Sequence, residues 1–138
     1  MTIDSFDGEY RFLSNFYPDD SCETLEHKYQ AAKATNAEDY FSVLHAPTPA
    51  KAKKQVRAIN GWIENWDARK LRVMEQLLRE KFSDEPLRSQ LLSTRPHELI
   101  EGNWWGDTFW GVDLRTGKGQ NHLGKLLMEI REDLILLK

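Results

Sequence analysis

An α+β fold dominated by helix, with a few short strands, is what this sequence predicts, on three observations. Apolar residues recur at three- and four-residue spacing in two long stretches, first Leu71, Met74, Leu78 and Phe82, then Leu123, Leu126, Leu127, Ile130, Leu134 and Leu137. That spacing lines one face of an α-helix. The segments that read as strands are short and are bounded by Pro, Gly and Asn. The 138 residues contain no repeat, low-complexity tract or linker, so one domain over residues 1–138 is expected.

Taken in order, EYRFLSNFYP mixes aromatic with apolar residues and stops at Pro18, which reads as a strand and an exposed loop. A helix is expected from near Cys22 to Ala34, with Leu25, Tyr29 and Ala32 on one stripe and Glu26, Gln30 and Lys33 on the next. APTPAKAKKQVRAI predicts a helix entered through Pro49, because proline suits the first helical turn, and stopped by Asn60-Gly61. An amphipathic helix should span about Asp67 to Phe82, with Met74 as core filler, and Ser83 should cap a short helix that buries Leu87 and Leu91. HELIEGN offers a short strand. NWWGDTFWGVDLRTGKGQNHLG has neither period and reads as a long loop, before a terminal helix from about Asn121 to Leu137 closes the core.

Hydrophobic residues at 40% and charged residues at 30% give the profile of a folded chain and exclude a disordered one. No apolar run approaches the roughly 18 residues that span a bilayer, and MTIDSFDGEY lacks the basic and apolar parts of a signal peptide. A protein that starts near Met1, stays in the cytosol and has no membrane partner is therefore expected. A net charge of −3 argues against a general nucleic-acid coat protein. The stretch from Lys51 to Arg72 is nevertheless basic, and reads either as a solvated surface or as a phosphate-facing wall.

Several chemistries fail on spacing. One cysteine, Cys22, cannot form an internal disulfide or a cysteine zinc cluster, and it is a poor candidate for the nucleophile. His27, His45, His97 and His122 lack the HExxH spacing that grips zinc, so neither a metal nor a cofactor is expected. GxSxG and GxGxxG motifs are absent, and Gly111 to Lys118 has one residue too many for a phosphate-binding P-loop. TGKGQN still offers glycine-flanked amides and a helix start at Asn121 to an anion, although an ordinary turn explains the same glycines. Of the five tryptophans, Trp62 and Trp66 read as core, whereas Trp104, Trp105 and Trp110 in a glycine-rich loop could stack on a base.

FLSNFYP at 12–18, EHKYQAAKA at 26–34, APTPAKAKKQVR at 46–57, the Trp66, Lys70, Met74, Leu78, Lys81-Phe82 pattern and FWGVDLRTGKGQNHLGKLLMEIRE at 109–132 together resemble the NADAR (YbiA-like) family, in order across nearly the whole chain. The resemblance implies a compact α+β fold and N-glycosidase activity on ribosylated bases. Family members act on ribosylamino-pyrimidine phosphates of riboflavin synthesis or remove ADP-ribose from guanine. It further implies that Glu26 is the catalytic carboxylate of the EH motif and that Trp110, Gly111, Asp113, Gly117, Lys118 and Gly119 form the WG-to-GKG loop. Asn15 and Phe16 match the N-terminal asparagine motif, and Arg57 the arginine that ends the AK-rich block.

Breaking an N-glycosidic bond builds oxocarbenium character on the ribose, so a carboxylate near C1′, a positioned water and help for the leaving base are needed. Glu26 is expected as electrostatic stabiliser and general base, with Asp107 or Asp113 orienting the ribose or assisting the base. Arg57, Lys118, the amides of Gly117 to Gly119 and the start of the helix at Asn121 are expected to hold phosphate, and Trp110 to stack. Trp104, Trp105 and Trp110, with the basic wall and the glycine-rich anion loop, favour ADP-ribose, free or on guanine in nucleic acid, as substrate. Leu114, Arg115 and Thr116, which some YbiA-like members lack, suggest a different pocket lip. The alternatives are a riboflavin precursor and a non-catalytic nucleotide reader.

Overall fold

The computed structural model describes residues 1–18 and 23–137, so Cys22 and the expected start of the first helix lie outside the described residues. The described residues are mostly helical with four two-residue strands, in the order β1 (Thr2–Ile3), a 3-10 helix (Gly8–Leu13), α1 (Leu25–Ala31), α2 (Ala37–Leu44), α3 (Pro49–Gln55), α4 (Trp66–Lys81), α5 (Leu87–Ser93), β2 (Glu98–Leu99), β3 (Gly102–Asn103), β4 (Val112–Asp113) and α6 (His122–Leu136). The chain divides into two compact units, one contiguous over Ser14–Leu77 and one built from Met1–Leu13 with Leu78–Lys138.

In the contiguous unit, α1, α2 and α3 pack on one another around Ala31, Val43, Leu44, Ala46, Ala52 and Val56. α1 starts where Thr24 Oγ1 accepts the His27 amide, and His27 Nδ1 in return accepts the Thr24 amide at 3.1 Å, a reciprocal cap that satisfies two otherwise orphan donors. That leaves Nε2 to donate to the Ala46 carbonyl at 2.9 Å, so the fully buried His27 ties α1 to the loop after α2 and is structural. α2, in a stretch where the sequence predicts no element, is started by Asn36 Oδ1 on the Asp39 amide at 2.9 Å. α3 begins at Pro49, as expected, behind the Thr48 cap.

In the second unit, β1 pairs in parallel with β2, and β3 with β4. α6 packs on β2 and α5, with Leu123, Leu127 and Ile130 buried alongside Leu91 and Leu99. Four expectations are corrected here. EYRFLSNFYP contributes a 3-10 helix rather than a strand, since Phe12 and Leu13, adjacent in sequence, are both buried and a strand would turn one of them outward. Ser83 caps nothing: its hydroxyl donates back to the Glu80 carbonyl at 2.7 Å, and α5 starts after Pro86. HELIEGN splits into β2 and β3. Leu137, expected on the buried side of α6, is exposed, because the helix outruns what it packs against.

Candidate functional site

Four of the expected site residues lie in the contiguous unit. Glu26 occupies the second position of α1 and is buried, not solvent-facing. Its amide donates to the Asn15 carbonyl at 3.0 Å, which fixes the N-terminal asparagine segment against the helix start. Gln30, one turn on, donates its Nε2 to Glu26 Oε2 at 2.5 Å. Asn15 turns Nδ2 toward Met74 Sδ at 3.6 Å. Phe16 lies under Lys53, whose Nζ is 5.8 Å from the ring centroid.

Lys33, on the same expected stripe as Glu26 and Gln30 and without an expected role, completes this group. It is buried, with Nζ 4.4 Å from the ring centroid of Trp62, 5.4 Å from that of Tyr29 and 5.6 Å from that of Trp66. Burial, helped by the positive charges of Lys53, Lys70 and Arg57 and opposed by the Glu26 charge, pulls its pKa down to about 8. An aromatic box therefore holds one amine beside one carboxylate, with three more cations in electrostatic reach. Trp66 is buried as expected, but Trp62 is 44% exposed; it is core only at its indole N–H, which donates to the Val56 carbonyl at 3.1 Å. The signal available in the sequence was the Glu26, Gln30, Lys33 spacing of four and three together with Trp62 and Trp66 four apart.

The other expected residues lie in the second unit. Asp107 Oδ1 accepts the amides of Phe109 at 3.1 Å and Trp110 at 2.9 Å, while its own backbone is clasped by the buried Asn103 side chain. Asp113 is buried and accepts the Arg115 amide at 2.9 Å; its backbone pairs with Lys118 across a tight turn. Within that turn the Gly117 amide donates to the Asp113 carbonyl at 2.7 Å and the Lys118 amide to Thr116 Oγ1 at 3.2 Å. Those two amides are committed to the turn, so what Lys118 presents is its exposed ammonium. Gly119 adopts φ +154° and lies so close to the Gly111 carbonyl and Val112 that no side chain fits there.

Asn121 stands at the start of α6 in the left-handed region, φ 54°, without capping the helix by its side chain. Its Oδ1 instead accepts the Glu101 amide and its Nδ2 donates to the Leu99 carbonyl, both at 2.9 Å. The His122 and Leu123 amides donate to the Phe109 and Trp110 carbonyls. Trp110 is half-buried, edge-on to Phe109 at 4.8 Å, whereas Trp104 and Trp105 are 62% and 68% exposed. No cluster of three or more His, Cys, Asp or Glu side chains that could hold a metal occurs among the described residues, and no described helix is long and apolar enough to cross a membrane.

The family model described as NADAR domain matches residues 4–135, spanning both units. A riboflavin biosynthesis protein of Vibrio vulnificus is 38% identical over 136 residues; the match takes in 93% of this chain but 36% of that protein. The N-glycosidase YbiA of Escherichia coli K12 is 38% identical over 117 residues, 83% of this chain and 72% of that one. The NMR structure of E. coli YbiA superposes with a TM-score of 0.82 at 34% identity, covering 99% of this chain and 86% of that chain. The chain belongs to the NADAR domain family, together with the N-glycosidases that it matches.

Proposed function

We propose that this N-glycosidase-family chain hydrolyses the bond between a base and C1′ of a phosphorylated ribose, with Glu26 as the catalytic carboxylate. The observation that carries the reading is the burial of Glu26 beside Gln30 and Lys33, with Lys53, Arg57 and Lys70 close enough to act on Lys33. A carboxylate held out of water stabilises a developing oxocarbenium ion more strongly than an exposed one, and it can take a proton from the attacking water. The water oxygen bonds to C1′ as the C1′–N bond breaks. The electron pair leaves with the base, which takes a proton from solvent, while Glu26 returns to solvent the proton it took from the attacking water. The surrounding cations suit the phosphate.

Between the two substrates, the riboflavin reading gains from the Vibrio relative's name and from a cationic group concentrated in one unit, which suits a single phosphate close to the ribose. ADP-ribosylated guanine is the second reading. It is favoured by the exposed indoles of Trp104 and Trp105, which offer stacking faces that a small pyrimidine does not need. The test is kcat/KM on a ribosylamino-pyrimidine phosphate and on ADP-ribosylated guanine with one preparation. At least a tenfold preference, about 1.4 kcal/mol in transition-state stabilisation, decides between them. Cleavage of neither substrate overturns the proposal.

A further inference from the structure

Gln30 carries an oddity that packing does not explain. It is 6% exposed, and its Nε2 donates to Glu26 Oε2 at 2.5 Å, yet its own Oε1 is buried with no hydrogen-bond partner among the described residues. A buried acceptor without a donor is costly, and a side-chain amide can ordinarily turn over to relieve it. Turning over would set Oε1 against the carboxylate, oxygen to oxygen. The amide therefore stays as it is because the carboxylate of Glu26 dictates it. The backbone adds a second anchor, since the Glu26 amide is held by the Asn15 carbonyl.

We propose that Gln30 is the positioning residue of this site: its amide aims the Glu26 carboxylate and keeps it ionised for its work as base. A hydrogen bond donated to the charged form of an acid favours that form, and a donor that cannot accept in the same orientation gives the protonated acid nothing in return. Helix spacing supplies the geometry, because residues four apart on α1 meet side by side. The inference rests on the proposed role of Glu26. The experiment separates the two.

Three variants are compared over the pH range: Glu26→Gln, Gln30→Met and Gln30→Glu. Gln30→Met keeps the length of the side chain but cannot donate. It is expected to lower kcat at least about tenfold with KM little changed and to move the acidic limb of kcat/KM up by about one pH unit, in line with the loss of a charge-assisted donor. Gln30→Glu is expected to regain activity toward acid pH, where the new carboxyl is protonated and again donates to Glu26. A parental pH profile in Gln30→Met overturns the proposal. So does an equal loss in both Gln30 variants at every pH, which marks a structural residue. Parental turnover in Glu26→Gln overturns the role of Glu26 instead.

If either Gln30 variant does not fold, the parental protein still decides. Nitrogen-15 and carbon-13 NMR are expected to show one Gln30 side-chain amide proton shifted downfield and slow to exchange, with both features lost on acid titration in step with the change of the Glu26 carboxyl carbon shift. An ordinary, freely exchanging Gln30 amide overturns the proposal.

Discussion

Lys33 shows at the scale of one residue how stability is given up at a site. Its folded pKa of about 8 lies below the ordinary 10.5, so between these two values the unfolded chain binds more protons than the folded one. The penalty is therefore full below pH 8 and is relieved as pH rises from about 8 to 10.5. At 1.36 kcal/mol per unit, the 10.5-to-8 gap is worth about 3 kcal/mol, part of which the aromatic box returns. Lys33→Met is expected to raise stability at pH 7 by about 1–2 kcal/mol, with the gain fading toward pH 10.5, and to lower activity; urea melts at several pH values check it. A second expectation at this scale is that Glu26→Gln folds normally but turns over at least about a hundredfold more slowly, the usual size of a general-base contribution. Single-turnover kinetics on the purified variant measure that. Glu26 was legible in the sequence only through the family pattern, because nothing in the EHKYQ spacing says whether that stripe faces water. The aromatic box around Lys33 was legible only as two separate spacings, since it joins α1 to residues 62 and 66 by tertiary contact.

At the scale of elements, long periodic helices were the easiest to read. α4 and α6 stand within a residue or so of their expected bounds, and α3 starts at its expected proline but stops at Gln55, short of Asn60-Gly61; proline at a helix start and an apolar stripe are local signals. HELIEGN, which holds β2 and β3, reads as strand locally, whereas β1 and β4 are set by pairing with distant segments and the 3-10 helix by burial of two neighbouring side chains, so none of these three shows in local pattern. The loop from residue 103 to 121 illustrates a second difficulty. Residue types that suit an anion cradle also suit a tight turn, and two of the GKG amides serve the turn. Asn121 is the clearest case of a side chain that holds the loop to its neighbour. Asn121→Ala removes one buried and one part-buried hydrogen bond and puts alanine in a left-handed conformation that asparagine tolerates better, for an expected loss of about 2–4 kcal/mol, read as a shift of the urea midpoint. Lys118→Ala is expected to leave stability unchanged and to weaken binding of ADP-ribose more than of ribose, measured by calorimetry, if its exposed ammonium meets phosphate.

At the scale of the whole molecule, activity is expected to survive exhaustive chelation, because the histidine and cysteine spacing cannot assemble a catalytic zinc site. Loss on EDTA treatment, restored by one added metal, counts against the proposed chemistry. The order of the chain has a different consequence, one of timing. The unit that holds Glu26, Gln30 and Lys33 is contiguous and ends at Leu77, whereas the other cannot close until Thr2–Ile3 meets Glu98–Leu99 and α6 has been made. At about 5–20 residues per second, synthesis of the 61 residues from 78 to 138 takes roughly 3–12 s. Contacts close in sequence form faster than remote ones, so the helices of the first unit have those seconds to assemble alone. Pulsed hydrogen exchange on stalled nascent chains should find α1 to α3 protected before β1. Ribosomes that slow after residue 77 would lengthen the time for which the N-terminal strand waits without its partner.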